Sequence, residues 1–61
     1  MHPGLIIFET SGKTLQVNYD TEEDFWNRVH RLMDAGYKVT ASMGNMTWLI
    51  VARSHMEDEI V

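Results

Sequence analysis

TLQVNYDTEEDFWNRVHRLMDAG, residues 14–36, contains a change of hydrophobic period that sets the fold class. Polar and apolar residues alternate over residues 14–19, which is the period of a strand with one buried face. From residue 25 onwards, apolar side chains recur at the spacing of an α-helix. The stretch therefore predicts a strand, with Leu15, Val17 and Tyr19 facing inward, followed directly by one amphipathic helix.

The helix is predicted over residues 21–35. Asp20 can cap its first turn while Glu23 reaches back as in a capping box, and Thr21 with Asp24 offers the same pairing one residue later. Gly36 is typical of the position just beyond a helix end. The apolar residues cover an arc of about 120°, which predicts one buried face. They are Phe25, Trp26, Val29, Leu32 and Met33.

Shorter segments on both sides of this stretch complete the element order. Residues 5–9 form an apolar, β-branched run, and Gly12 lies in the turn that joins it to the next strand. Residues 37–43 alternate again. Gly44-Asn45 is a two-residue hairpin signal, and residues 46–53 form the last predicted strand. The predicted fold class is α+β with the order ββαββ.

The four predicted strands differ in the polarity of their two faces. The second and third strands alternate, so they suit the edges of a sheet, where one face remains wet. The first and fourth strands are apolar on both faces and suit its centre. A four-stranded, mostly antiparallel sheet in the order 2-1-4-3, with the helix on one face, satisfies both conditions.

The sheet face without the helix is predicted to expose apolar side chains. Leaving several of them in water would forfeit roughly several kcal/mol at about 25 cal/mol per Å², and a domain this small has little stability to lose. We therefore expect a homodimer through this face. The alternative is that the C-terminal segment folds back and covers the patch with Ile60 and Val61. The predicted self-association residues are Ile6, Phe8, Leu49 and Val51.

Length and composition limit the classes of protein to consider. The chain has 61 residues, no cysteine and a formal net charge of −4. A disulfide scaffold and a thiolate metal site are therefore excluded, and no apolar run reaches the roughly 18 residues of a membrane span. We expect one domain over residues 1–56 and a short acidic tail over 57–61, in a cytoplasmic protein without a signal peptide.

No set of side chains forms a recognisable catalytic or metal centre. The histidines at positions 2, 30 and 55 lack metal-ligand spacings, and we interpret His30 as a boundary residue stacked on Trp26. The acidic cluster at the helix start lacks the EF-hand pattern. The sequence thus predicts a non-enzymatic protein with neither a metal nor a cofactor.

A ligand-binding or nucleic-acid-binding module, with a site formed at the dimer interface, is the alternative from another class. The acidic balance of the chain argues against a surface that binds nucleic acid. Two of the basic residues are also well spaced for surface ion pairs, Asp24–Arg28 and Arg31–Asp34. The residues that could bind such a ligand are Arg28, Arg31, Tyr37 and Lys38.

We expect instead that the protein is a non-enzymatic, protein-binding regulator or inhibitor that acts as a homodimer. In size and composition it resembles the compact, cysteine-free, acidic proteins that phages and mobile elements encode to bind a host protein, a resemblance that involves no particular motif. Acidic patches at the helix start and in the tail would set association rate and selectivity. The candidate partner-binding residues are Glu22, Glu23, Glu57, Asp58 and Glu59.

Overall fold

A computed structural model describes residues 1–54 and contains four strands and one helix. The strands form one sheet in the order β2-β1-β4-β3, with β1 and β4 parallel at its centre and an antiparallel neighbour outside each. The predicted ββαββ fold and its sheet order are confirmed. The predicted tail over 57–61 lies outside the described residues. The elements are β1 (His2–Phe8), β2 (Lys13–Tyr19), α1 (Glu22–Asp34), β3 (Tyr37–Met43) and β4 (Trp48–Ser54).

Helix α1 is capped at its start by Thr21. The Thr21 backbone is extended, and its Oγ1 accepts a hydrogen bond from the backbone N–H of Asp24 at 3.2 Å. This is the second of the two predicted caps, so the helix begins one residue later than an Asp20 cap would place it. Beyond the helix, Gly36 has φ of 101°, a left-handed conformation that glycine adopts without steric cost.

The loop between β3 and β4 differs from the predicted two-residue turn. Met43 pairs with Trp48, so four residues separate the strands. A two-residue turn of the Asn-Gly class needs positive φ at its central residues, and Gly44 does not have it. Its N–H donates instead to the carbonyl of Thr47 at 3.2 Å, which closes the wider loop.

The core lies between α1 and one face of the sheet. Side chains alternate across a strand, so even-numbered residues of β1 and β4 and odd-numbered residues of β2 and β3 point towards the helix. Phe25 and Ile50 are fully buried at the centre of this layer. The other buried apolar residues are Ile6, Tyr19, Val29, Trp48 and Ala52.

Ile6 and Phe8 belong to this helix-facing layer, so their predicted place on the uncovered face was wrong. Ile6 is 1% exposed and pairs in register with Ile50. Phe8 packs against the core, and its ring meets that of Tyr37 edge-on at 5.5 Å. Because β1 is apolar at every position from 5 to 8, its own pattern does not distinguish its faces.

Candidate functional site

The outer face, meaning the sheet face opposite α1, carries an apolar stripe along its two central strands. Leu5 and Ile7 of β1 lie beside Leu49 and Val51 of β4. All four side chains are partly exposed, and no described element covers them. Leu49 and Val51 therefore lie where the sequence placed them, whereas Leu5 and Ile7 occupy the positions that had been assigned to Ile6 and Phe8.

Polar side chains border this stripe on both edge strands. The strand register produces two rows that cross the sheet, each with two apolar residues between two polar ones. One row is Gln16–Leu5–Leu49–Ser42, and the other is Thr14–Ile7–Val51–Thr40. An apolar centre inside a polar border is the usual anatomy of a protein interface.

The two ends of the outer face differ in character. One end, around Pro3 and Leu5, has a shallow depression of about 400 Å³. At the other end, Arg53 Nε lies 3.9 Å from Glu9 Oε1, and both side chains are more than half exposed. An ion pair this exposed contributes little stability. The charge is therefore confined to one end and leaves the apolar stripe uninterrupted.

A polar groove, which we call the β2 groove, lies between β2 and the flank of α1. Its volume is about 280 Å³, and two carboxylates and two guanidinium groups line it. Within residues 1–54, neither Asp24–Arg28 nor Arg31–Asp34 forms the predicted ion pair. Asp24, Arg28 and Arg31 instead line this groove together with residues at the end of β2, whereas Asp34 is not among the lining residues. The lining residues are Asn18, Tyr19, Asp20, Asp24, Asn27, Arg28 and Arg31.

Tyr19 joins the β2 groove to the core. The residue is 3% exposed, and its hydroxyl has no hydrogen-bond partner among the described residues. Burial raises the pKa of the Tyr19 phenol above its ordinary value, and the positive charge of Arg28 opposes that rise. The hydroxyl is thus an unsatisfied buried group, which costs stability.

The four residues of the alternative ligand site are not brought together. Arg28 and Arg31 line the β2 groove. Tyr37 packs its ring against Phe8 on the helix-facing side of β3, at the far edge of the sheet. Lys38 is the next residue of β3 and therefore lies on the outer face, paired in register with Arg53. Within one chain these four residues therefore do not line a single pocket, and a site that they form at a dimer interface stays a prediction.

The histidine that makes an aromatic contact is His2, not His30. The His2 ring stacks on Trp48 with centroids 4.1 Å apart and an interplanar angle of 11°. His30 is exposed, and no ring contact joins it to Trp26 within the described part of the chain. Only the pairing of β1 with β4 brings position 2 close to position 48, so local spacing gave no sign of this contact.

The predicted partner-binding acids are divided between described and undescribed residues. Glu22 and Glu23 lie in the exposed first turn of α1, with Asp24 beside them. They are on the helix side of the sheet, away from the outer face. Glu57, Asp58 and Glu59 lie outside the described residues.

Comparison of the chain with models of protein families, with curated proteins and with solved structures gives no match. Within residues 1–54, no group of three or more histidine or acidic side chains is placed to hold a metal ion. The helical part of those same residues is too short and too polar to span a membrane.

Proposed function

We propose that the chain is a non-enzymatic interaction protein that pairs with a second copy through its outer face and, in that assembly, binds and regulates another protein. The observation that supports self-association is the pair of cross-strand rows with apolar residues at their centres. A stripe of adjacent leucine, isoleucine and valine side chains with a polar border is typical of an interface. A two-fold axis through the stripe would bury it with its own copy.

The size of the outer face suits a small interface. Strands of seven residues at ~3.3 Å per residue, in a sheet of four strands about 4.8 Å apart, give a face of roughly 23 by 19 Å. Two such faces amount to roughly 900 Å² in projection, before side-chain relief is counted, which is close to the ~1,000 Å² that a specific interface needs.

The regulatory part of the proposal rests on the acidic first turn of α1. Glu22 and Glu23 are exposed on the side of the sheet that faces away from the self-association surface. They would stay accessible in the assembly and would attract a basic surface of the partner, raising the association rate and the selectivity.

Light scattering coupled to gel filtration tests the self-association. We expect a mass of at least twice the 7.1 kDa of one chain, and we expect Leu49→Asp to lower it at least two-fold because a charge would be buried in the apolar stripe. Ser42→Asp is the matched control, since it adds the same charge to the same row at the polar border. A monomeric wild-type chain, or a Leu49→Asp chain that folds and keeps its mass, would refute the outer-face assembly.

A further inference from the structure

A second surface, separate from the outer face, has the features of a strand-pairing edge. β2 pairs with β1 over all seven of its residues without a bulge, and it is the end strand of the sheet. Its other side therefore presents backbone donors and acceptors without a strand partner in the described region. Prolines, bulges and charges are the usual means of blocking such an edge. β2 contains no proline, and its one charged residue is Lys13 at its first position.

One apolar, helix-facing side chain of this edge strand is also poorly covered. Leu15 is 42% exposed, although its neighbour in register, Ile6, is 1% exposed. The opposite edge strand is different, because Val39, Ala41 and Met43 pack against the core and α1 contacts β3 more extensively than β2. β2 is thus the edge where the backbone lacks a strand partner in the described region and one apolar side chain, Leu15, is poorly covered.

We propose that β2 pairs with β2 of a second copy, antiparallel and about a two-fold axis, to form one continuous sheet with both helices on the same side. Gln16 is the middle residue of β2 and would face its own counterpart. Residues of equal parity then share a face, so Leu15 meets Val17 of the second copy on the helix side. Thr14, Gln16 and Asn18 continue the polar border of the outer face.

The positions of Lys13 at one end of β2 and of two carboxylates beside its other end favour a second copy as the occupant of this edge. In the proposed register Lys13 lies opposite Tyr19 of the second copy. Within one chain the register partner of Lys13 is Phe8, so Lys13 lies on the helix-facing side. In the proposed pairing it would therefore lie beside the β2 groove of the second copy. The carboxylates of Asp20 and Asp24 line that groove beside the start of α1, and the guanidinium groups of Arg28 and Arg31 line it further along the helix. Lys13, Asp20 and Asp24 make no ion pair within residues 1–54. The two-fold axis would place Lys13 of each copy beside the carboxylates of the other copy.

The edge pairing is independent of the outer-face assembly, and the two together predict four copies. The outer faces of two continuous sheets would stack, while the β2 edges join the copies within each sheet. Wild-type chain should then have four times the monomer mass. Leu49→Asp should leave an edge-paired dimer, Lys13→Glu should leave an outer-face dimer, and the double variant should be monomeric.

Gel filtration with light scattering on these variants tests the edge pairing, with circular dichroism to confirm that each is folded. Lys13→Glu combined with Asp24→Lys should restore the mass lost in Lys13→Glu, because the charges are exchanged across the contact. Lys13→Arg, which keeps the charge, should behave as wild type. A folded Leu49→Asp chain that is monomeric overturns the edge pairing and leaves the outer-face assembly standing. A Lys13→Glu chain with unchanged mass also overturns it, whereas loss of mass in Lys13→Glu but not in Leu49→Asp supports it and refutes the outer face.

Discussion

The ring of Tyr19 lies across Gly4 and fills the space that a β-carbon at residue 4 would occupy. That β-carbon would also lie 2.9 Å from the carbonyl oxygen of Trp48. Because residue 4 has no side chain, Tyr19 crosses β1 and stacks on Trp48 at a centroid distance of 6.0 Å. The glycine thus lets an edge-strand aromatic reach the central strands.

Gly4→Ala should destabilise the protein because the added methyl group cannot coexist with the present position of the Tyr19 ring. We expect a loss of about 1–3 kcal/mol, the usual cost of overpacking a core, measured by urea unfolding at fixed protein concentration. The penalty should shrink in a Tyr19→Leu background, which removes the ring from above residue 4. Equal penalties in the two backgrounds would contradict this account.

Tyr19→Phe should stabilise the protein at neutral pH by about 1 kcal/mol. The substitution keeps the ring in the core and removes a buried hydroxyl that has no hydrogen-bond partner in the described residues. Urea unfolding at pH 7 measures the gain. Loss of stability in this variant would show that the hydroxyl has a partner in solution.

The same variant should change the response to alkaline pH. The folded pKa of Tyr19 is raised by burial, so above pH ~10, the ordinary tyrosine value, the unfolded chain releases a proton that the folded chain retains. The free energy of unfolding should therefore fall as the pH rises from about 10 through the folded pKa, and it should fall less in Tyr19→Phe. Tyr37→Phe is the control, because it leaves the Tyr19 phenol in place and should keep the full wild-type loss.

Thr21→Ala should destabilise the protein by about 1 kcal/mol, since it removes the hydroxyl that accepts the Asp24 N–H. Thr21→Ser keeps that hydroxyl and should retain most of the stability. Thermal unfolding followed by circular dichroism at 222 nm measures both. Asp20→Ala should lower the stability less than Thr21→Ala does. A larger loss in Asp20→Ala would show that Asp20, and not Thr21, caps the helix.

His2→Ala should expose the indole of Trp48. The stacked pair contributes about 0.5–1.5 kcal/mol, and without the imidazole the Trp48 emission should move to longer wavelength. A Trp26→Phe background isolates that emission, because Trp26 is the other tryptophan and is 42% exposed. His30→Ala should leave the spectrum unchanged, and a shift there as large as in His2→Ala would contradict the stack.

The predicted self-association residues show which positions a local sequence pattern can assign to one face of the sheet. Leu49 and Val51 lie on the outer face as predicted, because Trp48 and Ile50 alternate with them along β4 and fit the core. β1 offered no such contrast, since Leu5 and Ile7 are as apolar as Ile6 and Phe8. Which pair faces the helix depends on the pairing of Gly4 with Trp48 and on the Tyr19 ring above it, and these are contacts between distant parts of the chain.

The β2 groove was missed for a related reason. Helical spacing made Asp24 and Arg28 natural partners, because residues four apart are neighbours on a helix surface. This helical spacing gives no information about the sheet that packs against α1. The end of that sheet's edge strand, β2, contributes Asn18, Tyr19 and Asp20 to the same groove. A site assembled from an edge strand and a helix flank has no continuous sequence motif.

The sequence by itself determined the order of the elements, the helix with its Gly36 boundary, and the strand order in the sheet, and it limited the helix cap to Asp20 or Thr21. Each of these follows from period, capping chemistry and polarity, which act over a few neighbouring residues. Tertiary structure alone decided that Ile6 and Phe8 are core while Leu5 and Ile7 are surface, that His2 stacks on Trp48, and that the charged flank of α1 opens onto the β2 edge. These depend on strand register and on helix placement over the sheet, which are set by packing the whole chain at once.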